Sequence, residues 1–280
     1  MMKAWYQYGD ALVQEIERTA LPEELFALWP LGQMGAAIKW KETTLLVDPV
    51  LADLKNAQGT TRRCFPPPFA PEKLAVDAVL CTHRHADHIQ METLKPIHDA
   101  HPGCKFIVPA PERAGVIEMG LDEKRVIGAK AGEELILDGE IRLLPVAAAH
   151  DTYRTDANGD QHALGYVIRM GENSCFHAGD TVLTQKLIDD LLAAGPVTVA
   201  CLPVNGLDFE RTARGVVGNM DELDAAYLAC QIGAEMVIPM HFDMVQGNTS
   251  DPLRFAAVMC SRYPGKRWHV PIPGERIILG

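Results

Sequence analysis

Positions 83 to 88 read HRHADH, three histidines and an aspartate in six residues. The chain has only ten histidines in 280 residues, and this group follows directly on the apolar run VDAVLCT. Neutral imidazole and carboxylate suit borderline and hard divalent ions such as Zn, Mn or Fe. A strand alternates its faces, so His83 and His85 can point one way. Asp87 and His88 then reach a neighbouring point as the chain turns. Three further apolar runs end on a ligand-type residue: IRLLPVAAAH at His150, SCFHAGD at Asp180 and AEMVIPMH at His241. Ligands of open α/β sheets gather at the carboxyl ends of strands, so a metal site has a place to form.

The elements that must position these residues alternate along the chain. A helical leader is expected over Asp10–Ala20 and again over Glu23–Leu28, followed by the strands GAAIKW and TLLVD. The proline-rich stretch from Asn56 to Lys73 reads as a long loop, of the kind that serves as a lid or binding loop. VDAVLCT then predicts a strand, METLKPIHDA a helix disturbed at Pro96, and KFIVP a strand, with Pro111 opening a short helix. In the second half IRLLPVAAA, ALGYVIRM, SCFHAG, VTVACLPV and EMVIPM predict strands. Helices are expected at LTQKLIDDLLAAG, stopped by Gly195, at MDELDAAYLACQIG, stopped by Gly233, and at LRFAAVMCSRY, opened by Asp251 and Pro252. With no internal repeat and no linker, one α/β domain over 1–280 with a helical leader over about 1–30 is the economical expectation.

Bulk properties narrow the partners. A formal charge of −11, with no basic cluster to offset it, counts against nucleic acid and favours a small-molecule substrate. The N-terminal residues lack a signal peptide's apolar core, and no stretch reaches the eighteen or so apolar residues of a membrane helix. Seven widely spaced cysteines without a CxxC pair predict reduced thiols and a cytoplasmic protein. Trp5, Tyr6 and Tyr8 are expected to pack the N-terminus or to form a subunit contact in a homo-oligomer.

In its ordered motifs the chain resembles the metallo-β-lactamase fold hydrolases. His83, His85, Asp87 and His88 match their H-x-H-x-D-H motif, and His150, Asp180 and His241 match their later metal positions. The resemblance implies a four-layer αββα sandwich with one or two divalent metal ions. It implies that His83, His85 and His150 hold one metal, that Asp87, His88 and His241 hold the second, and that Asp180 bridges. His85 stands where the flavo-diiron branch has a glutamate, which argues against redox chemistry. Within the superfamily the chain is similar to the L-ascorbate-6-phosphate lactonase group in LWPLGQMGAAIKW, VDAVLCTHRHADHI, Tyr153-Arg154-Thr155, CFHAGD, the ARG at 213–215 and MVIPMHFD.

Such a centre would open a lactone, plausibly that of a phosphorylated sugar, by attack of metal-bound hydroxide. Asp180 or Asp87 could shuttle the proton, with His177 and Asp243 orienting ligands from behind. An anionic substrate would be clamped by Arg154 and Arg214, with Arg62 and Arg63 closing from the proline-rich loop and Asn205 and Gly206 as weaker contacts. His98, His101, His162 and His269 read as surface or structural, and the pairs Glu133-Glu134 and Asp189-Asp190 as solvated faces. The competing readings are a phosphodiesterase acting on a small or cyclic phosphodiester, and a metal-binding module without catalysis.

Overall fold

A computed structural model describes residues 6–137 and 140–280. These residues divide into two compact units, one running to Ala129 and including Ile272–Gly280, the other Lys130–Pro271. Trp5 lies outside the described residues, as do Asp138 and Gly139.

The first unit begins with helix α1, Gly9–Arg18. It buries Leu12, Val13 and Ile16 on one face, and Asp10 and Arg18 sit at the ends whose partial charges they complement. Lys39 Nζ donates to the Ile16 carbonyl at 3.0 Å, satisfying an acceptor left over at the helix end. The second expected helix is a strand instead, β1, Phe26–Gly32. All seven of its residues are buried, so it shows no alternation, and an apolar run of that length is ambiguous between the two periods. Pro30 is compatible with the strand because the register shifts between Pro30 and Gly32.

The sheet of this unit has seven strands in the order β14-β1-β2-β3-β4-β5-β6. The other members are β2 (Gly35–Trp40), β3 (Thr43–Val47), β4 (Ala78–Leu80), β5 (Lys105–Pro109), β6 (Val126–Ala129) and β14 (Ile277–Leu279). Pairing is antiparallel from β14 to β3 and parallel from β3 to β6. Helix α2, Met91–Ala100, runs through Pro96. The bond that Pro96 cannot donate falls on the Glu92 carbonyl in the first turn, near the helix start. The short α3 follows, Arg113–Glu118. Trp29, Val79, Leu94, Ile97 and Phe106 belong to one buried core.

The second unit repeats the plan: β13-β12-β11-β10-β9-β8-β7. Its strands are β7 (Leu135–Leu137), β8 (Ile141–Ala147), β9 (Leu164–Met170), β10 (Asn173–His177), β11 (Val199–Pro203), β12 (Met236–Met240) and β13 (Arg267–Trp268). Strands β7 to β10 pair antiparallel and β10 to β13 parallel. The helices are α4 (Gln185–Ala194), α5 (Phe209–Ala213), α6 (Glu222–Gln231) and α7 (Pro252–Arg262). Thr184, Asp208, Asp221 and Asp251 cap their first turns with side-chain oxygens. Gly195, at φ 99°, ends α4 as expected. Phe176, Leu191, Leu228, Val237 and Phe255 lie in the second core.

The sequence reading did not assign β6, β7, β13, β14 or α5, all five residues or fewer. The long loop holds few regular elements: a Lys55–Thr61 bridge and a 3-10 turn at Pro71–Lys73. Tyr6 and Tyr8 are exposed, contrary to the packing expectation.

Candidate metal centre

Strand β4 ends at Leu80, so His83 to His88 lie in a bend and turn beyond it. Strand alternation therefore does not set their directions; the loop does. The rings of His83 and His85 meet edge-on with centroids 4.6 Å apart, and those of His83 and His88 are 4.0 Å apart. His83 and His85 each offer a donor atom within 4.8 Å of the other's. Asp87 Oδ2 stands 3.9 Å from His88 Nε2. His83 and His88 are buried.

The ring orientations have an identifiable cause in Asp48, the residue after β3. It is buried and adopts φ 44°, a left-handed conformation that aspartate tolerates better than most residues. Its carboxylate accepts from the Thr82 backbone N–H at 2.8 Å, from the Thr82 hydroxyl at 2.7 Å and from His88 Nδ1 at 2.7 Å. The hydroxyl, having given its proton to Asp48, can accept from His83 Nδ1 at 3.2 Å. Both imidazoles thus carry their proton on Nδ1 and present a lone pair on Nε2, the arrangement expected of metal-ligating histidines with outer partners. Gln33, at φ 56° in the β1–β2 turn, donates to Asp87 Oδ2 at 2.8 Å. Burial first, then Asp48 and Cys104, push the Cys81 thiol well above its ordinary value, so the fold favours its protonated form.

In the second unit the donors come one from each of three strand ends. His241 directly follows β12, at φ 62°. Asp180 and His150 each lie three residues beyond their strands, β10 and β8. Asp180 divides its two oxygens: Oδ1 is 3.2 Å from His241 Nε2 and Oδ2 is 3.7 Å from His150 Nε2. A carboxylate placed so can serve two ions at once. Asp180 and His241 are buried. His177 is fully buried on β10, and Asp243 lies half-buried two residues past His241.

The substrate candidates fare differently. Arg154 is exposed and paired with Asp151 at 2.6 Å, and Arg214 is exposed 3.6 Å from Glu210. Arg62 is exposed, whereas Arg63 is buried and donates to the carbonyls of Val50, Ala52 and Phe65. Arg63 therefore braces its loop and does not close over a substrate. Asn205 is buried, its amide bonded to Asn219 and Asn248. Asp48, Thr82, Gln33 and Arg211 were missed by the sequence reading. A signal for Asp48 was present, because TLLVD ends on an acid just as the other runs end on His or Asp; Gln33 carries no comparable signal.

The donor set of imidazoles and carboxylates fits a borderline or hard divalent ion. Comparison with known proteins agrees. Residues 43–242, a span that contains all seven donors, match the model of the Beta-lactamase superfamily domain. A UPF0173 metal-dependent hydrolase of Aeropyrum pernix is 30% identical over 241 residues, 80% of this chain and 86% of that protein. A probable L-ascorbate-6-phosphate lactonase of Escherichia coli is 24% identical over 90% of this chain and 79% of its own length. Among solved structures, a metallo hydrolase of Ignicoccus hospitalis aligns with a TM-score of 0.69 at 21% identity, covering 91% of this chain and 99% of the other. The α/β fold of αββα metallo-β-lactamase type expected from the motifs therefore holds. The chain belongs to the β-lactamase superfamily and, within it, to a family of metal-dependent hydrolases.

Proposed function

We propose that this chain opens a lactone, with phosphorylated sugar lactones as its substrate class. The observations that carry the hydrolase reading are the division of Asp180 between His150 and His241 in one unit and, in the other, a motif whose imidazoles are held by Asp48 and Thr82. The lactone reading is supported by similarity to the Escherichia coli lactonase along most of both chains.

In this reading His83, His85 and His150 would hold one divalent ion and Asp87, His88 and His241 a second, with Asp180 a candidate ligand to both. Manganese or zinc suits these donors, and iron is the third choice. When bound, such an ion supplies a Lewis acid that lowers the pKa of water from about 15.7 towards about 7. The remaining work falls to the chain. Water adds to the lactone carbonyl, the ring C–O bond breaks, and the leaving alkoxide needs a proton. Asp180 or Asp87 takes that proton from the water and returns it to the alkoxide, the Gln33 amide holding Asp87 in place. His177 and Asp243 orient neighbours from behind. Arg154 and Arg214, with side chains 62% and 57% exposed, are open to a phosphate.

A cytoplasmic setting accords with the seven cysteines, none of which is in a disulfide. No helix among the described residues is long and apolar enough to cross a membrane. Homo-oligomer formation belongs to the same proposal.

The test is acid release from a panel of lactones, with and without phosphate, by protein reloaded with Mn or Zn. Turnover restricted to phosphorylated members, lost in His83→Ala, is the expected result. Metal uptake without turnover of any lactone would contradict the reading and turn attention to phosphodiesters.

A further inference from the structure

Three buried asparagine amides and one half-buried arginine form a hydrogen-bonded chain in the second unit. Asn205, Asn219 and Asn248 are 3%, 3% and 8% exposed. Arg211 donates from Nη1 to Asn248 Oδ1 at 3.0 Å and from Nη2 to the Asn205 carbonyl at 2.7 Å, while its Nε pairs with Asp208. Asn205 Nδ2 donates to the same Asn248 oxygen at 3.1 Å, and Asn219 Nδ2 donates to Asn205 Oδ1 at 3.0 Å.

The direction of this chain is dictated by its first member. A guanidinium has donors only, so Asn248 must turn its oxygen towards Arg211. Asn205 meets that oxygen with its NH2 and so presents its own oxygen to Asn219. Asn219 must then spend its NH2 on Asn205. One acceptor is left over at the end, Asn219 Oδ1, which is buried and receives no hydrogen bond among the described residues. Flipping any single amide would set oxygen against oxygen or nitrogen against nitrogen, so the assignment follows from the network. Native proteins rarely leave a buried carbonyl unmet unless a ligand or water supplies the donor.

The place of this acceptor is specific. Met220, the next residue, donates its backbone N–H to the Thr181 carbonyl at 2.9 Å, one residue from Asp180, and its own carbonyl accepts from Gly206 at 3.0 Å. Gly218 makes the stapling possible, since a Cβ there would fall 2.7 Å from the Gly206 carbonyl oxygen. Asn248 lies in the loop that leaves His241. The amide chain is therefore fastened to the segments that carry two of the donors.

We propose that Asn219 Oδ1 is a specificity-determining acceptor that receives a hydroxyl of the substrate, selecting hydroxylated lactones over plain ones. Arg211, through Asn248 and Asn205, positions it. This inference rests on the lactonase reading. It deepens that reading by naming the sugar hydroxyl, not the phosphate, as a group the chain recognises with a buried atom.

The experiment compares kcat/KM of metal-loaded wild type, Asn219→Ala and Asn219→Ser on a sugar γ-lactone and on unsubstituted γ-butyrolactone. The preference for the hydroxylated lactone is expected to fall about tenfold or more in Asn219→Ala, and less in Asn219→Ser, whose hydroxyl can both donate to Asn205 and accept. An unchanged preference in both variants would overturn the inference, because a merely structural role moves both substrates together. If wild type turns over neither lactone, the lactonase reading fails on its own. The acceptor is then decided by calorimetric titration with gluconate as an open-chain polyhydroxy acid: weaker binding to Asn219→Ser than to wild type sustains it, and equal or absent binding overturns it.

Discussion

In the first unit four donors come from one six-residue loop after β4, whereas in the second the three donors come from the ends of β8, β10 and β12. Yet the two sheets share one plan, antiparallel strands giving way to parallel ones. A loop of bends and turns does not fix its own side chains, and the first unit accordingly spends Asp48 and Thr82 on two histidine rings. In the second unit the donors are spread over the segments that follow β8, β10 and β12, and Asp180 lies between the two histidines. Contiguous donors are oriented by residues behind them, while dispersed donors are brought together by the order of the strands they follow.

Substitutions can break that contrast. The largest effect is expected from Asp180→Asn, which removes charge from the carboxylate that two histidines share. Several kcal/mol of transition-state stabilisation are at stake, so kcat/KM should fall by roughly 10³-fold or more. His85→Ala, which removes one imidazole from the loop, should cost less. Steady-state kinetics on any accepted ester decides the order, and equal losses would remove the special place of Asp180. Next comes Asp48→Asn, which leaves every donor in place but disturbs the tautomers of His83 and His88. Metal affinity should drop about 10-fold to 100-fold by competition with a chelator. An unchanged affinity would mean that the loop orients its own rings.

A smaller contrast concerns pH. Burial pushes the Cys104 thiol in the first unit up to about 12 from 9.0, and in the second unit the Cys201 contact and then burial push Cys175 well above its ordinary value. A raised folded-state value means that the fold favours the protonated thiol. The stability is then fully present below about pH 9 and is lost as pH rises towards 12. Thermal melts across that range should fall steadily, and Cys104→Ser should change the alkaline slope while Thr184→Ala should not. The latter removes the cap of α4 and the partner of the Tyr153 hydroxyl, and should cost about 1 kcal/mol or more at every pH.

How legible the molecule was follows the same division. HRHADH is a dense local signal and could be read without any knowledge of the fold. His150, Asp180 and His241 became readable through one rule, that apolar runs end on them. That rule also picks Asp48, which orients the donors without being one of them. Strand β1 differs from the helix its sequence suggests because burial on both faces erases alternation. The sequence shows that Arg63 lies in a loop, which suggests a substrate clamp, but not that loop carbonyls occupy its donors. The amide chain was invisible for a related reason: Asn205, Asn219 and Asn248 are scattered in sequence, and only folding strings them together.

The central claim is that His83 and His88 are metal ligands whose rings Asp48 and Thr82 hold. A double-substitution cycle on metal affinity tests it most directly, with Asp48→Asn, His88→Ala and the pair combined, each titrated with Mn or Zn against a chelator. If Asp48 acts through the histidine ring, either change alone should weaken metal binding, and the double variant should be less impaired than the sum of the singles predicts. Strictly additive losses, or an unchanged affinity in His88→Ala, would contradict the account.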